Sequence, residues 1–106
     1  MRPSTVHNLP LITRLFLNDD VYDMGGGYNP ITSQMMGGRK VYVVDYLPHT
    51  NVDIVDNLQY LSSIEDNSVP NIFCADVMEH IENPWLVINQ FHRVLKPGGI
   101  LFLTAP

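Results

Sequence analysis

Apolar residues in this chain fall in short, nearly continuous runs rather than in strict alternation. Val21-Tyr22-Asp23-Met24, Lys40-Val41-Tyr42-Val43-Val44-Asp45, Val52 to Val55, Asn71 to Ala75 and Ile100 to Leu103 each span four to six residues. Runs of this kind predict strands covered on both faces, and therefore a parallel sheet. Between them, apolar positions recur at helical spacing. Leu9, Leu11, Ile12, Leu15 and Phe16 predict a short helix from Pro10 to Leu17, with Asn8 as its N-cap, lying over an edge or face of the sheet. Trp85, Ile88, Phe91, Val94 and Leu95 form one stripe of a helix from Pro84 to Leu95, capped by Asn83 and ended by Lys96-Pro97-Gly98-Gly99. A third, shorter helix is expected from Pro30 to Met36, closed by Gly37-Gly38. Strands alternating with helices make an α/β domain. Right-handed crossovers on both faces give a strand order of 3-2-1-4-5, with a binding crevice where the order reverses beside strand one.

The stretch that organises the rest is Val21-Tyr22-Asp23-Met24-Gly25-Gly26-Gly27-Tyr28-Asn29-Pro30. A strand running directly into three glycines lets the backbone turn sharply and approach a ligand closely. Asn29 tolerates the left-handed conformation, and Pro30 suits the first position of a helix. Strand, glycine turn and helix entry describe a nucleotide-type loop. Asp45 ends strand two, twenty positions after Gly25. An acid there can accept hydrogen bonds from both hydroxyls of an adenosine ribose, the alternative being a solvated strand-end carboxylate. Tyr46 and Leu47 follow and are placed to flank an adenine face. Asn57 and Leu58, just after strand three, offer a side-chain amide and a backbone N–H for the adenine edge, with Asp56 an equally good polar candidate.

Composition narrows the picture without changing it. The 106 residues make one domain, with residues 1–20 a helical extension and 21–106 the cofactor-binding core. Apolar residues are 45 % of the chain, ordinary for a globular protein. Six basic against eleven acidic residues give a net charge of −5, which argues against a nucleic-acid or anionic-membrane partner. Cys74 is the single cysteine, so no intramolecular disulfide forms; its apolar neighbours make it a poor nucleophile. No apolar run approaches the ~20 residues of a membrane-spanning helix. No basic segment precedes an apolar one at the start, so a cytoplasmic protein is the expectation.

Four segments together resemble the class I S-adenosylmethionine-dependent methyltransferases, of the subfamily called methyltransferase type 11. Val21 to Gly27 resembles its first motif, an acid followed by Gly-x-Gly, and Val43-Val44-Asp45 its second-strand acid. Cys74-Ala75-Asp76-Val77-Met78-Glu79-His80-Ile81 resembles the segment ending strand four. Phe91-His92-Arg93-Val94-Leu95-Lys96-Pro97-Gly98-Gly99-Ile100-Leu101-Phe102 resembles the helix-to-strand-five segment. The resemblance implies a Rossmann-like three-layer sandwich, S-adenosylmethionine as cofactor and a small-molecule methyl acceptor. It implies that Gly25, Gly26 and Gly27 carry the methionine part of the cofactor on backbone groups. It further implies that Asp23 orients the amino group through water, that Asp45 holds the ribose, that Asn57 and Leu58 hold the adenine, and that Ala75 and Asp76 line the pocket beside the sulfonium.

The chain also departs from the pattern. Asn29 replaces a frequent third glycine, and Val69-Pro70 replaces a frequent Phe-Asp before strand four. The family fold carries two further strands after strand five. Their absence implies a truncated form of a longer enzyme, or a chain that pairs with a partner or a second copy along the strand-five edge. His80 is the candidate general base if the acceptor must lose a proton, the alternative being a polar cap of the loop. Asp76, Glu79 and His80 also resemble the metal set of some O-methyltransferases, although Asp76 stands where those have Glu. His92 and Arg93, late in the last helix, suit its dipole and read as structural. Two other functions fit parts of the pattern. A nicotinamide-dependent oxidoreductase shares the glycine loop and ribose acid but places a glycine where Pro30 stands. A non-catalytic Rossmann-like binding module fits the short length.

Overall fold

The computed structural model describes residues 1–104. Helix α1 spans Pro3–Leu15 and is followed by strand β1, Val21–Met24. Strand β2 is Val41–Asp45, β3 is Ile54–Val55 and β4 is Val69–Cys74. A 3₁₀ turn at Met78–His80 leads to helix α2, Pro84–Val94, which runs straight into β5, Leu95–Leu103. All pairings are parallel, and the order is β3-β2-β1-β4-β5, as the apolar runs predict. β5 is the last strand of that order, so its outer edge has no strand partner among the described residues.

The sheet is covered on both faces. On one, α1 packs Leu9 and Ile12, with Phe16, against Val21 and Phe73, joined by Ile31 and Met36. On the other, α2 packs Val87, Phe91 and Val94 against Met24, Val44, Ile72 and Cys74. Leu58, Leu61 and Ile64 fill the same layer. Alternate residues of β1 point to opposite faces, which is why a single apolar run serves both cores.

Several elements differ from expectation. α1 begins at Pro3 rather than Pro10, with Pro10 inside it and exposed. Pro3 takes the N-terminal role. The internal proline, which removes one helical N–H bond, is tolerated because the stripe Thr5, Leu9, Ile12 is buried along the whole helix. Asn8 is no cap; its Nδ2 donates to the Ser4 carbonyl. The expected helix at Pro30–Met36 is instead a set of turns over residues 33–38. Thr32 and Ser33 favour local turns, and Gly37 and Gly38, both at positive φ, stop propagation after one turn. Asn29 is not among the residues at positive φ. Asn83 precedes α2 but makes no side-chain cap.

β3 is shorter than expected: Val52 donates to the His49 carbonyl in a turn, and pairing starts only at Ile54. β4 starts at Val69 and ends at Cys74, so Pro70 lies inside a central strand. That is possible because β1 pairs only from Asn71 onward and the β5 ladder is irregular between Val69 and Asn71. β5 starts at Leu95, five residues early, with Gly98 at φ +80. A Cβ on Gly99 would lie 2.8 Å from the Lys96 carbonyl and 3.1 Å from that of Pro70, so only glycine allows the strands to meet there.

Two polar side chains lock the connections. Asn71 is fully buried; its Oδ1 accepts the Leu17 N–H at 2.8 Å, and its Nδ2 donates to the carbonyls of Leu17, Asp19 and Asp20. Arg93 donates to the carbonyls of Leu61 and Ile64 and to Asp66 and Gln90, tying α2 to the loop before β4.

Candidate functional site

The C-terminal ends of β1, β2, β3 and β4 open onto one cleft of about 460 Å³. That size suits a small-molecule or cofactor site. Gly25 lines it from β1, Asp45 and Tyr46 from β2, Asn57, Leu58 and Gln59 from β3. Asp76, Val77, His80, Ile81 and Glu82 form the wall after β4, and Tyr28 stands over the glycine loop. Six of the ten residues proposed for a cofactor therefore share one cleft: Gly25, Asp45, Tyr46, Asn57, Leu58 and Asp76. The candidate base His80 joins them. Gly27 lines a small adjoining recess with Tyr28, Asp45, Tyr46 and His49. Asp23 is buried beneath the loop with Gly26 over its carboxylate, Ala75 packs toward the α1 face, and none of the three lines the cleft.

Each glycine of the loop answers a different neighbour. Gly25 sits at φ +84, and a Cβ there would lie 2.7 Å from Val77 Cγ2. A Cβ on Gly26 would fall on the Asp23 carboxylate, and one on Gly27 would lie 2.5 Å from Asp45 Oδ2. The two acids grip the loop from either side. Asp23 Oδ2 accepts the Ile31 N–H at 2.9 Å. Asp45 Oδ2 accepts the Gly27 N–H at 2.9 Å, and its Oδ1 accepts that of Tyr46 at 2.8 Å.

Burial controls the electrostatics beneath the loop. Asp23 is only 3 % exposed, and burial pushes its carboxyl from 3.8 up to about 7. The Ile31 N–H opposes that rise and the Asp45 charge adds to it. Cys74, also buried, is pushed up to about 12 by burial, with the charges of Asp23 and Glu79 adding. It is therefore no thiolate nucleophile at neutral pH.

Between the two adenine-edge candidates, it is Asn57 that lines the cleft. Asp56 is engaged in its own turn: Oδ2 accepts the amide and hydroxyl of Ser63, and Oδ1 accepts the Asn57 N–H. Burial raises its pKa, but these hydrogen bonds outweigh that and hold it below the ordinary value. Asp76 adopts φ +61, and its N–H donates to Thr104 Oγ1 at 2.8 Å. Its Oδ1 is buried without a hydrogen bond, since Arg2 Nε stands 3.1 Å away but is not aligned to donate. His80 is exposed, with Nε2 4.0 Å from Glu79 Oε1. Among the described residues, no group of three or more His, Cys, Asp or Glu is arranged to hold a metal ion.

Sequence reasoning missed Tyr28, Gln59 and Glu82 as lining residues, and missed the Arg2 contact with Asp76 altogether. Tyr28 was legible as the residue next to the glycines. Arg2 was not, because 74 positions separate it from Asp76.

A five-stranded parallel sheet in this order, with a glycine turn after β1 and an acid closing β2, is a Rossmann-like nucleotide-binding fold. The Methyltransferase domain family matches residues 22–103, and the chain belongs to it, within the class I S-adenosylmethionine-dependent methyltransferases. The chain is similar to the ubiquinone biosynthesis O-methyltransferase of Xanthomonas oryzae pv. oryzae. The two are 28 % identical over 100 aligned positions, covering 80 % of this chain and 42 % of the relative. A Bacillus halodurans structure superposes with a TM-score of 0.78 at 23 % identity, covering 97 % of this chain and 52 % of that one. A SAM dependent methyltransferase from Aquifex aeolicus gives 0.69 at 24 % identity, covering 96 % and 66 %. The chain thus spans about two fifths of the length of the curated relatives it matches. No helix among the described residues is long and apolar enough to cross a membrane.

Proposed function

We propose that this chain binds S-adenosylmethionine in the cleft beside β1 and contributes the cofactor half of a site that methylates a small-molecule acceptor. The observation that carries this reading is convergence: Gly25, Asp45, Asn57, Leu58 and Asp76, from four different strand ends, line one cleft of about 460 Å³. The residues fit the cofactor. A Cβ on Gly25 would push into Val77 of the cleft wall and one on Gly27 into the Asp45 carboxylate, so the loop packs closely against two cleft-lining residues. The Asp45 oxygens, each already taking one N–H, retain lone pairs for ribose hydroxyls. Asn57 and the Leu58 backbone read the adenine edge, with Tyr46 against its face. Asp23 supports the amino group from beneath the loop, Gly26 and Gly27 give the methionine part a backbone floor, and Asp76 flanks the sulfonium, while Ala75 packs on the α1 side of the sheet.

When bound, the cofactor supplies an activated methyl group for in-line displacement. The work of the chain is alignment and exclusion of water. The name of the curated relatives favours an oxygen acceptor. An oxygen nucleophile that must lose a proton would meet His80, exposed at the lip of the cleft, as its base. The unpaired outer edge of β5 supports a second strand-bearing unit or another copy pairing there.

The test is calorimetric titration of S-adenosylhomocysteine into this chain and into Asp45→Ala, with NADH as a control. A carboxylate bonded to a hydroxyl contributes about 1.5–3 kcal/mol, so the variant should bind at least roughly tenfold more weakly. Binding of NADH without S-adenosylhomocysteine would reverse the assignment. Absence of both from a folded chain would favour a non-catalytic module.

A further inference from the structure

The wall of the cleft after β4 is held by a residue remote in sequence. The Arg2 backbone N–H donates to Asp76 Oδ2 at 2.8 Å, and Arg2 Nη2 donates to Glu79 Oε2 at 3.0 Å. The Arg2 guanidinium thus stands against Asp76, which lines the cleft, and Glu79 behind it, with Nε 3.1 Å from Asp76 Oδ1. Asp76 also lies at the N-terminal end of α1, where the helix dipole favours a carboxylate. Three features make this more than a surface ion pair. Asp76 is a non-glycine residue at φ +61, a conformation that costs energy and persists only when its surroundings impose it. The Asp76 and Glu79 side chains are each 22 % exposed, against 51 % for the Arg2 side chain that covers them. Lastly, Asp76 lines the cleft while Arg2 does not, so the contact acts on the site from outside.

We propose that Arg2 is a positioning residue. It clamps the loop 75–82 against the start of α1 and thereby sets the cleft wall formed by Asp76, His80 and Glu82. In Arg2→Ala the residue-2 backbone N–H still donates to Asp76 Oδ2 and the Thr104 hydroxyl still accepts the Asp76 N–H, but Glu79 loses the Nη2 donor and Asp76 Oδ1 loses the nearby Nε charge. Loop 75–82 then opens locally while the sheet stays intact. Its effect on ligand rests on the reading of the cleft as an S-adenosylmethionine site.

Hydrogen–deuterium exchange of the unliganded chain tests the clamp directly. Amides of residues 75–82 should exchange about three- to fivefold faster in Arg2→Ala than in the wild type, and at an intermediate rate in Arg2→Lys. Exchange in β1 and β2 should not change, and 1 M salt should bring the wild type toward the variant. S-adenosylhomocysteine should then bind about three- to fivefold more weakly to Arg2→Ala, partly restored in Arg2→Lys. Unchanged exchange at 75–82 overturns the proposal, as does acceleration that extends equally into β1 and β2. Faster exchange with unaltered affinity overturns the link to the site. Faster exchange in a protein whose wild type binds no S-adenosylhomocysteine upholds the clamp and overturns the cofactor reading instead.

Discussion

Replacing Asp23 by Asn should remove most of a pH dependence that the wild type owes to one buried carboxyl. The side chain is 3 % exposed beneath the glycine loop, with one backbone N–H for partner, and its pKa is pushed from 3.8 up to about 7, chiefly by burial. Below pH 3.8 the carboxyl is protonated in folded and unfolded chains alike and costs nothing. As pH rises, the unfolded chain ionises first, so stability falls until the folded carboxyl ionises too, near pH 7, and then levels off. Three pH units of separation correspond to roughly 4 kcal/mol, of which about 2–3 kcal/mol is lost between pH 5 and pH 8. Asn has the same shape and can still accept the Ile31 N–H, but it does not titrate. Urea unfolding of both proteins at pH 5 and pH 8 measures the difference, with other titrating groups cancelling in the comparison. At an m-value of about 1.5 kcal/mol/M, the wild-type midpoint should fall by roughly 1–2 M more than that of Asp23→Asn. Equal falls in the two proteins would refute the burial argument and place the charge of Asp23 in contact with water or a cation.

Two further substitutions separate folding from binding. Asn71→Leu keeps the volume but strands the Leu17 N–H and the carbonyls of Asp19 and Asp20 near the start of β1. A cost of about 2–4 kcal/mol is expected, which scanning calorimetry would read as a melting temperature lower by roughly 10–25 °C. Gly27→Ala places a Cβ 2.5 Å from Asp45 Oδ2. The carboxylate can swing aside, so the melting temperature should move by less than about 5 °C, while S-adenosylhomocysteine affinity should fall roughly tenfold because the ribose acid is displaced.

Legibility varied from element to element for identifiable reasons. The runs Val21–Met24 and Val41–Asp45 read correctly because a buried parallel strand is apolar on both faces and short, and few other structures share that pattern. The extent of α2 read correctly from Pro84 onward, but its buried face is Val87, Phe91 and Val94, with Trp85 76 % exposed. Lys96 to Gly99, expected to end the helix, lie in β5 because the chain pairs with β4 directly after Val94. The turn at residues 33–38 was mistaken for a helix because Pro30 and Gly37 mimic helix ends, although six residues between them cannot sustain one. Pro10 was mistaken for a helix start because proline is common there; burial of Thr5, Leu9 and Ile12 carries the helix through it.

By itself, the order of residues determined the parallel sheet, its 3-2-1-4-5 winding, the glycine loop and the acid at the end of β2. These follow from local periodicity, chain direction and the handedness of crossovers, all of which are properties of neighbouring residues. Only the tertiary structure decided that Asp23 is a buried carboxyl beneath the loop, that Asn71 pins the entry to β1, and that Arg2 holds Asp76. Desolvation and long-range hydrogen bonding depend on which surfaces close over a residue, and contacts spanning 54 to 77 positions leave no trace in local pattern.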